Sequence, residues 1–158
     1  MKPIWIAAAV ALAAGTAAAG TADVKFVDPG RYDDPGKYVG EAEQFRGELT
    51  RHLQRLAERQ LPGDQVLTIE VLDIDLAGEP RVNGRLDNPR IVKGHADWPR
   101  IELRYTLRAG DQVLASGQEL VQDMGYMNTT LVDTSSESLP YEKRMLTRWF
   151  AERFPAAH

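Results

Sequence analysis

The sequence predicts an α+β domain with two layers, in which a mainly antiparallel sheet of about four strands carries two amphipathic helices on one face. Three observations support this fold class. Residues 100–121 alternate between apolar and polar side chains around a turn, and residues 41–60 and 140–154 each carry apolar side chains at helical spacing. The predicted order of elements is strand, helix, strand, hairpin, helix.

The N-terminal residues have the pattern of a secretory signal peptide. Lys2 precedes an uncharged apolar run from Ile4 to Ala14, and small residues follow up to Ala19. The run is shorter than the roughly 20 residues that a membrane-spanning helix needs. We therefore expect cleavage after Ala19, with Ala22 as the alternative position.

The remaining chain, residues 20–158, is interpreted as a single domain with an ordered core at about 23–154. The whole sequence has 158 residues, a formal charge of −4 and no cysteine. An exported chain of this size can be stabilised by its core alone, and the absence of disulfides fits the bacterial periplasm. The mild acidity argues against nucleic acids and anionic membranes as partners. We expect no transmembrane helix in the mature chain.

The first strand is predicted at residues 23–28, and a loop rich in proline, glycine and aspartate follows at residues 29–40. The next segment, residues 41–60, is predicted to be an amphipathic helix that ends before Pro62 and Gly63. Its apolar stripe consists of Ala42, Phe45, Leu49, Leu53, Leu56 and Ala57.

The second strand is predicted at residues 65–78, and its apolar residues change phase near Val71. Such a change indicates either burial on both faces or a β-bulge. Residues 78–99 are predicted to form a long loop, with a short strand at Ile91 and Val92. Loops of this length in a compact domain are often functional.

Residues 100–121 are predicted to form a hairpin with a two-residue turn at Gly110 and Asp111. That register places Leu107 opposite Leu114 and Ile101 opposite Leu120. One face of the hairpin is predicted to be core and the other solvated.

The last helix is predicted to begin near Pro140 and to stop at Pro155. Its apolar face consists of Tyr141, Met145, Leu146, Trp149, Phe150 and Phe154.

The acidic stretch "VLDIDLAGEP" at residues 71–80 is the first candidate for chemistry. An EF-hand calcium loop is excluded because Ala77 and Gly84 stand where oxygen ligands are required. Asp73 and Asp75 are two positions apart on a strand, so they share a face at about 6.6 Å. They are interpreted either as an acid–base pair or as acceptors for loop N–H groups and nearby arginines.

Other catalytic constellations lack support. The three histidines, His52, His95 and His158, are scattered and there is no cysteine, so a structural zinc site is not expected. The sequence has no nucleophile elbow, no dinucleotide fingerprint and no phosphate-binding loop, and we predict no cofactor.

Aromatic and methionine side chains on loops are the second candidate feature. Trp98 precedes Pro99, and Tyr126 and Met127 follow the predicted hairpin. Such side chains mark a binding surface in some proteins and pack against neighbouring elements in others. Both interpretations stay open.

Four segments together resemble the bacterial exported family known as domain of unknown function 3016. They are "VKFVDPGRYDD", "VLDIDLAGEP", "WPRIELRYTL" with "LVQDMGYM", and "LPYEKRMLTRWFAERF". The resemblance spans residues 24–154 and implies an exported, single-domain envelope protein. It implies no activity, cofactor or catalytic residue.

The expected function is that of a non-catalytic binding or envelope-associated module, whose partner is an envelope protein or a cell-wall component. The expected contact or loop-organising residues are Asp73, Asp75, Trp98, Tyr126 and Met127. The alternative is a hydrolase that uses Asp73, Asp75, Asp97 or Glu79 as acid and base. Weak binding of a divalent cation is a third reading, and the oligomeric state is left open.

Overall fold

The computed structural model describes residues 18–38, 40–80, 90–94, 96–128 and 138–156. Its elements follow the predicted order, with one additional pair of very short strands. They are β1 (Thr21–Phe26), a 3-10 turn (Pro29–Arg31), α1 (Glu41–Gln60), β2 (Gln65–Asp75), β3 (Glu79–Pro80), β4 (Arg90–Ile91), β5 (Arg100–Ala109), β6 (Gln112–Gln122) and α2 (Pro140–Arg153).

The main sheet has four strands in the order β1, β2, β5, β6. Only β1 and β2 are parallel, because α1 connects them; the other two pairs are antiparallel. The two short strands β3 and β4 pair separately, close to the strand predicted at Ile91 and Val92. The fold is therefore α+β with a mostly antiparallel sheet, as predicted.

Of the two alternatives that the phase change near Val71 left open, the structure shows the β-bulge. The pairing of β2 with β5 shifts register between Val71 and Asp73, so Leu72 is the extra residue. The shift keeps the apolar residues of both phases in the core, because Ile69 and Val71 before it and Ile74 after it are all buried. The strand ends at Asp75 rather than at the predicted residue 78.

The predicted register of the hairpin is wrong beyond its turn. The turn itself is confirmed, because Ala109 lies opposite Gln112 and Gly110 has the positive φ of 56° that a type II′ turn requires. Leu107 lies opposite Ala115 rather than Leu114, and Ile101 opposite Val121 rather than Leu120. A second bulge causes this one-residue shift.

Both helices cover one face of the sheet. The helix α1 buries Leu49, Leu53, Leu56 and Ala57, and α2 buries Met145, Leu146, Trp149 and Phe150. Trp149 packs edge-on against Tyr105 of β5, with ring centroids 5.9 Å apart. The opposite face of the sheet, called the open face below, is polar; there Arg104 pairs with Glu70.

The signal peptide predicted at residues 1–19 lies almost wholly outside the described residues. The described residues next to it contact the segment between α1 and β2: Ala19 bridges to Pro62, and Gly20 donates its N–H to the Leu61 carbonyl at 3.0 Å. Ala22 is buried and lies opposite Leu67 in β2. Within the described part of the chain, neither helix has the length and hydropathy to cross a membrane.

Candidate binding site

The bulge in β2 places two neighbouring side chains on the open face. Leu72 and Asp73 both point there, since one extra residue interrupts the usual alternation. Asp73 lies directly opposite Glu102 of β5. The Cβ atoms of residues directly opposite each other on one face are about 5 Å apart, so two acidic side chains are neighbours at this position.

The segment after β1 closes over the bulge. The Val27 N–H and the Tyr32 hydroxyl both donate to the Val71 carbonyl, at 2.9 and 2.8 Å. Tyr32 is buried, and burial raises the pKa of its hydroxyl to about 12. The Asp33 N–H donates to Oδ1 of Asp73 at 2.9 Å. These contacts fix the segment beside the two carboxylates.

The result is an open groove of about 360 Å³, called the acidic groove below. Carboxylates from three separate parts of the chain line it, together with one guanidinium and two aliphatic side chains. The lining residues are Asp28, Asp33, Asp73, Glu102, Arg31, Val27 and Leu72. With four carboxylates against one arginine, the groove has an excess of negative charge.

Of the two aspartates singled out from the sequence, only Asp73 lines the groove. Asp75 instead pairs with Arg100, which lies opposite it in β5. Partial burial raises the pKa of Asp75, and Arg100 opposes that rise. The arginine interpretation therefore describes Asp75, and the loop N–H interpretation describes Asp73.

The three side chains predicted as a contact surface, those of Trp98, Tyr126 and Met127, differ in their exposure to solvent. Met127 is 49% exposed, and its sulfur lies close to Gly94. Trp98 is half-buried, and its indole N–H donates to Oε1 of Gln122 at 3.3 Å. Tyr126 is only 1% exposed, so it cannot contact a partner without a rearrangement.

Tyr126 instead organises the loop before β5. Its hydroxyl donates to Oδ1 of Asp97 at 2.8 Å and accepts the Gly94 N–H at 3.3 Å. The second oxygen of Asp97 accepts the Lys93 N–H at 2.6 Å. Burial and the carboxylate of Asp97 together raise the pKa of Tyr126 to about 12. The loop-organising role thus has direct structural support for this residue.

Three largely buried charged residues, Arg90, Asp34 and Glu142, hold the segment that directly follows β2. Arg90 pairs with Asp34 at 2.6 Å and donates to the carbonyls of Leu76, Ala77 and Gly78. From α2, the carboxylate of Glu142 accepts the Ala77 N–H at 2.7 Å, and its complete burial raises its pKa. The segment that follows β2, Leu76 to Gly78, is therefore held by α2 and by β4.

The carboxylates named for a hydrolase are held by different partners in the described part of the chain. Asp75 is paired with Arg100, Asp97 binds the Lys93 N–H and Tyr126, and the exposed Glu79 pairs with Lys93. Asp73 lines the acidic groove, where its neighbour across the strands is Glu102. Asp73 and Asp75, which one of the two interpretations paired along one strand, are therefore separated, and the carboxylate opposite Asp73 belongs to Glu102.

Metal binding has no geometric support in the described ranges, where no group of three or more His, Cys, Asp or Glu residues is arranged to hold an ion. His52 lies between the helices, and its Nε2 is 2.9 Å from both the Lys143 carbonyl and the Thr147 hydroxyl. His95 and His158 lie outside the described residues.

Three of the four groove carboxylates were missed by sequence reasoning. Asp28 was predicted to end the first strand, Asp33 to lie in the loop at residues 29–40, and Glu102 to lie on the solvated face of the hairpin. The available signal was the bulge, since a bulge redirects side chains and often lies next to a functional site. Because β5 was also predicted to be a strand, the correct register between β2 and β5 would have placed Glu102 opposite Asp73.

Comparison with known proteins gives one match. The model of a family described as "Protein of unknown function (DUF3016)" matches residues 20–152. No curated protein and no solved structure matches the chain.

Proposed function

The chain belongs to the DUF3016 family of proteins of unknown function, and we propose that it is an exported, non-catalytic binding module of the bacterial envelope. The observation that carries this proposal is the acidic groove, which Asp28, Asp33, Asp73 and Glu102 line. Like charges held together attract a cationic partner, and they both steer its approach and select against anionic partners.

The groove suits one extended basic side chain better than a metal ion. Its volume of about 360 Å³ is near the lower end of the range for small-molecule sites. Val27 and Leu72 offer apolar contact for the methylene groups of a lysine or arginine, while the carboxylates meet the charged end. The partner is therefore a basic segment of an envelope protein or an amine-bearing cell-wall peptide.

Export is part of the same proposal, because the N-terminal pattern is typical of a signal peptide. Cleavage after Ala19 leaves β1 whole and makes Gly20 the first residue. Its new ammonium group then lies at the Leu61 carbonyl, which the Gly20 N–H already contacts. Since Leu61 is the C-cap of α1, a positive charge there is favourable for the helix dipole.

A hydrolase remains the second candidate, for one specific reason. Asp73 and Glu102 lie opposite each other in an open groove, and carboxylate-based glycosidases use a pair of acidic side chains. In that case one of the two groups must act as an acid. Hydrolysis of cell-wall glycan that is lost in both Asp73→Asn and Glu102→Gln would favour this candidate over a binding module.

The binding proposal is tested with residues 20–158, titrated with a short lysine homopeptide and, for comparison, a glutamate homopeptide. The variant Asp73→Asn/Glu102→Gln removes two charges and retains the acceptor oxygens. Two exposed ion pairs contribute roughly 0.4–2 kcal/mol together, so Kd is expected to rise by about 2- to 30-fold.

The matched control is Asp64→Asn/Asp111→Asn, which removes the same charge at two exposed positions outside the groove. This variant is expected to retain most of the affinity. Equal weakening by both variants would show that only net charge matters and would contradict the groove as the site. A chemically defined cell-wall peptide in a parallel titration distinguishes the two sources of the cation.

A further inference from the structure

The peptide bond at which we propose cleavage, between Ala19 and Gly20, is paired with another part of the folded domain. Ala19 forms an antiparallel bridge with Pro62, and the Gly20 N–H donates to the Leu61 carbonyl at 3.0 Å. The Ala19 side chain is exposed, but Gly20 is buried, and β1 begins at the next residue, Thr21. The backbone on both sides of the bond is therefore held in place.

Two glycines allow this segment to lie directly on the turn between α1 and β2. A Cβ atom added to Gly63 would overlap the Ala18 carbonyl and would lie 2.6 Å from the Ala18 Cβ. One added to Gly20 would overlap the Cβ of Leu61 and would lie 2.7 Å from the carbonyl oxygen of Pro62. Because real Cβ atoms do not approach other atoms so closely, the contact depends on glycine at both positions.

We propose that folding closes this cleavage site, so that residues 1–19 are removed only from a chain that has not yet folded. The inference rests on the export proposed above. A peptidase needs an exposed, extended segment, in which water breaks the C–N bond by adding a hydroxyl group to the Ala19 carbonyl carbon and a proton to the Gly20 nitrogen. In the folded chain that segment is paired with Leu61 and Pro62, so it must detach before a peptidase can bind it. A chain that folds first therefore keeps residues 1–19.

The alternative cleavage position, after Ala22, is closed more firmly. Ala22 is buried and lies opposite Leu67, within the parallel pairing of β1 with β2. Its exposure to a peptidase requires β1 to separate from the sheet, whereas Ala19 and Gly20 need only leave the turn at Pro62. Local opening costs less free energy than the loss of a core strand. Any slow cleavage of the folded chain is therefore expected after Ala19.

The variant Gly63→Ala tests the contact that closes the site. The three atoms nearest to its added Cβ all belong to Ala18, which is absent from residues 20–158. The substitution is therefore expected to detach the segment before Gly20 in the full chain and to leave residues 20–158 as resistant to urea as the natural protein. The control Gly30→Ala adds the same methyl group in the 3-10 turn after β1, where nothing lies within 4 Å of it.

The full chain, residues 1–158, is incubated with purified bacterial signal peptidase in mild detergent, and its cleavage rate is compared with that of Leu53→Asp/Leu103→Asp. Two charges in the core keep this reference chain unfolded, which circular dichroism verifies. We expect the folded natural chain and Gly30→Ala to be cleaved at least about tenfold more slowly than the reference, because cleavage follows the small population of detached segment. Gly63→Ala is expected to recover most of the difference.

The outcomes separate this inference from the proposal on which it rests. Equal cleavage rates for the folded and the unfolded chain overturn the inference and leave export intact. A folded Gly63→Ala chain that resists cleavage as the natural chain does also overturns it, since the contact with Ala18 would then not close the site. A reference chain that stays uncut after Ala19 contradicts the export proposal, and the inference falls with it.

Discussion

Replacing Arg90 with methionine tests how the loop after β2 is held. The guanidinium makes four contacts with buried or half-buried acceptors. Its Nε donates to the Ala77 carbonyl at 2.7 Å, and its second terminal nitrogen donates to Asp34 and Gly78 at 2.6 Å and to Leu76 at 3.2 Å. Methionine retains most of the apolar stem and removes all four hydrogen bonds.

The expected loss of stability follows from the burial of the ion pair. Only 13% of the Arg90 side chain and 14% of the Asp34 side chain are exposed, so the substitution leaves a carboxylate with little access to water. Removal of one partner from a buried pair costs about 3–5 kcal/mol. Because Asp34 keeps some solvent access, we expect a value near the lower limit, about 3 kcal/mol.

The assay is urea denaturation, with Arg104→Met as the matched control. Arg104 also pairs with a carboxylate on the sheet, but 52% of its side chain and 36% of that of Glu70 are exposed. Exposed pairs contribute about 0–1 kcal/mol. If Arg90→Met costs no more than Arg104→Met, the claim that buried charges organise this loop is refuted.

Three further predictions concern other parts of the molecule. Glu102→Gln removes a carboxylate opposite Asp73 and keeps the oxygen that accepts a hydrogen bond from Gln118. The free energy of unfolding, measured by urea denaturation, is therefore expected to rise by about 0.2–1 kcal/mol, and a fall would contradict the pairing. Glu142→Gln replaces a carboxyl group, whose pKa burial raises above the usual 4.5 in the folded state, with a neutral amide. In the natural protein, the stability that the protonated carboxyl group contributes is complete below its unfolded pKa and is lost as pH rises through its folded pKa. The natural protein is therefore expected to lose stability relative to the variant over that pH range, and a difference that stays constant with pH would contradict this prediction. After export, intact-mass measurement should find Gly20 as the first residue, whereas a chain that begins at Asp23 would contradict the retained start of β1.

The parts of the fold that sequence predicted are those set by repeating apolar patterns. The stripe of α1 repeats every three to four residues over five turns, and its predicted bounds match the helix. The phase change in β2 came from the same kind of pattern and left two alternatives, burial on both faces or a bulge; one extra residue lets both phases of apolar residues reach one core. In each case burial of the same face dictates the local structure.

The parts that sequence missed depend on contacts between distant segments. No local signal separates Leu114 from its neighbours in a strand of mixed polarity, so the bulge in β6 and the register that follows from it were missed. Tyr126 is buried because Asp97 and the 90–94 segment reach it from elsewhere in the chain. The groove likewise joins residues near position 30 to residues near 73 and 102, and only the folded structure brings them together.

The groove as a binding site is tested most directly by a nuclear magnetic resonance titration of isotope-labelled residues 20–158 with the lysine homopeptide. We predict that the changes in amide chemical shift cluster at Asp28, Asp33, Asp73 and Glu102, and that added salt reduces these changes. Shifts centred on Met124 and Met127, or spread evenly over all exposed carboxylates, would contradict it.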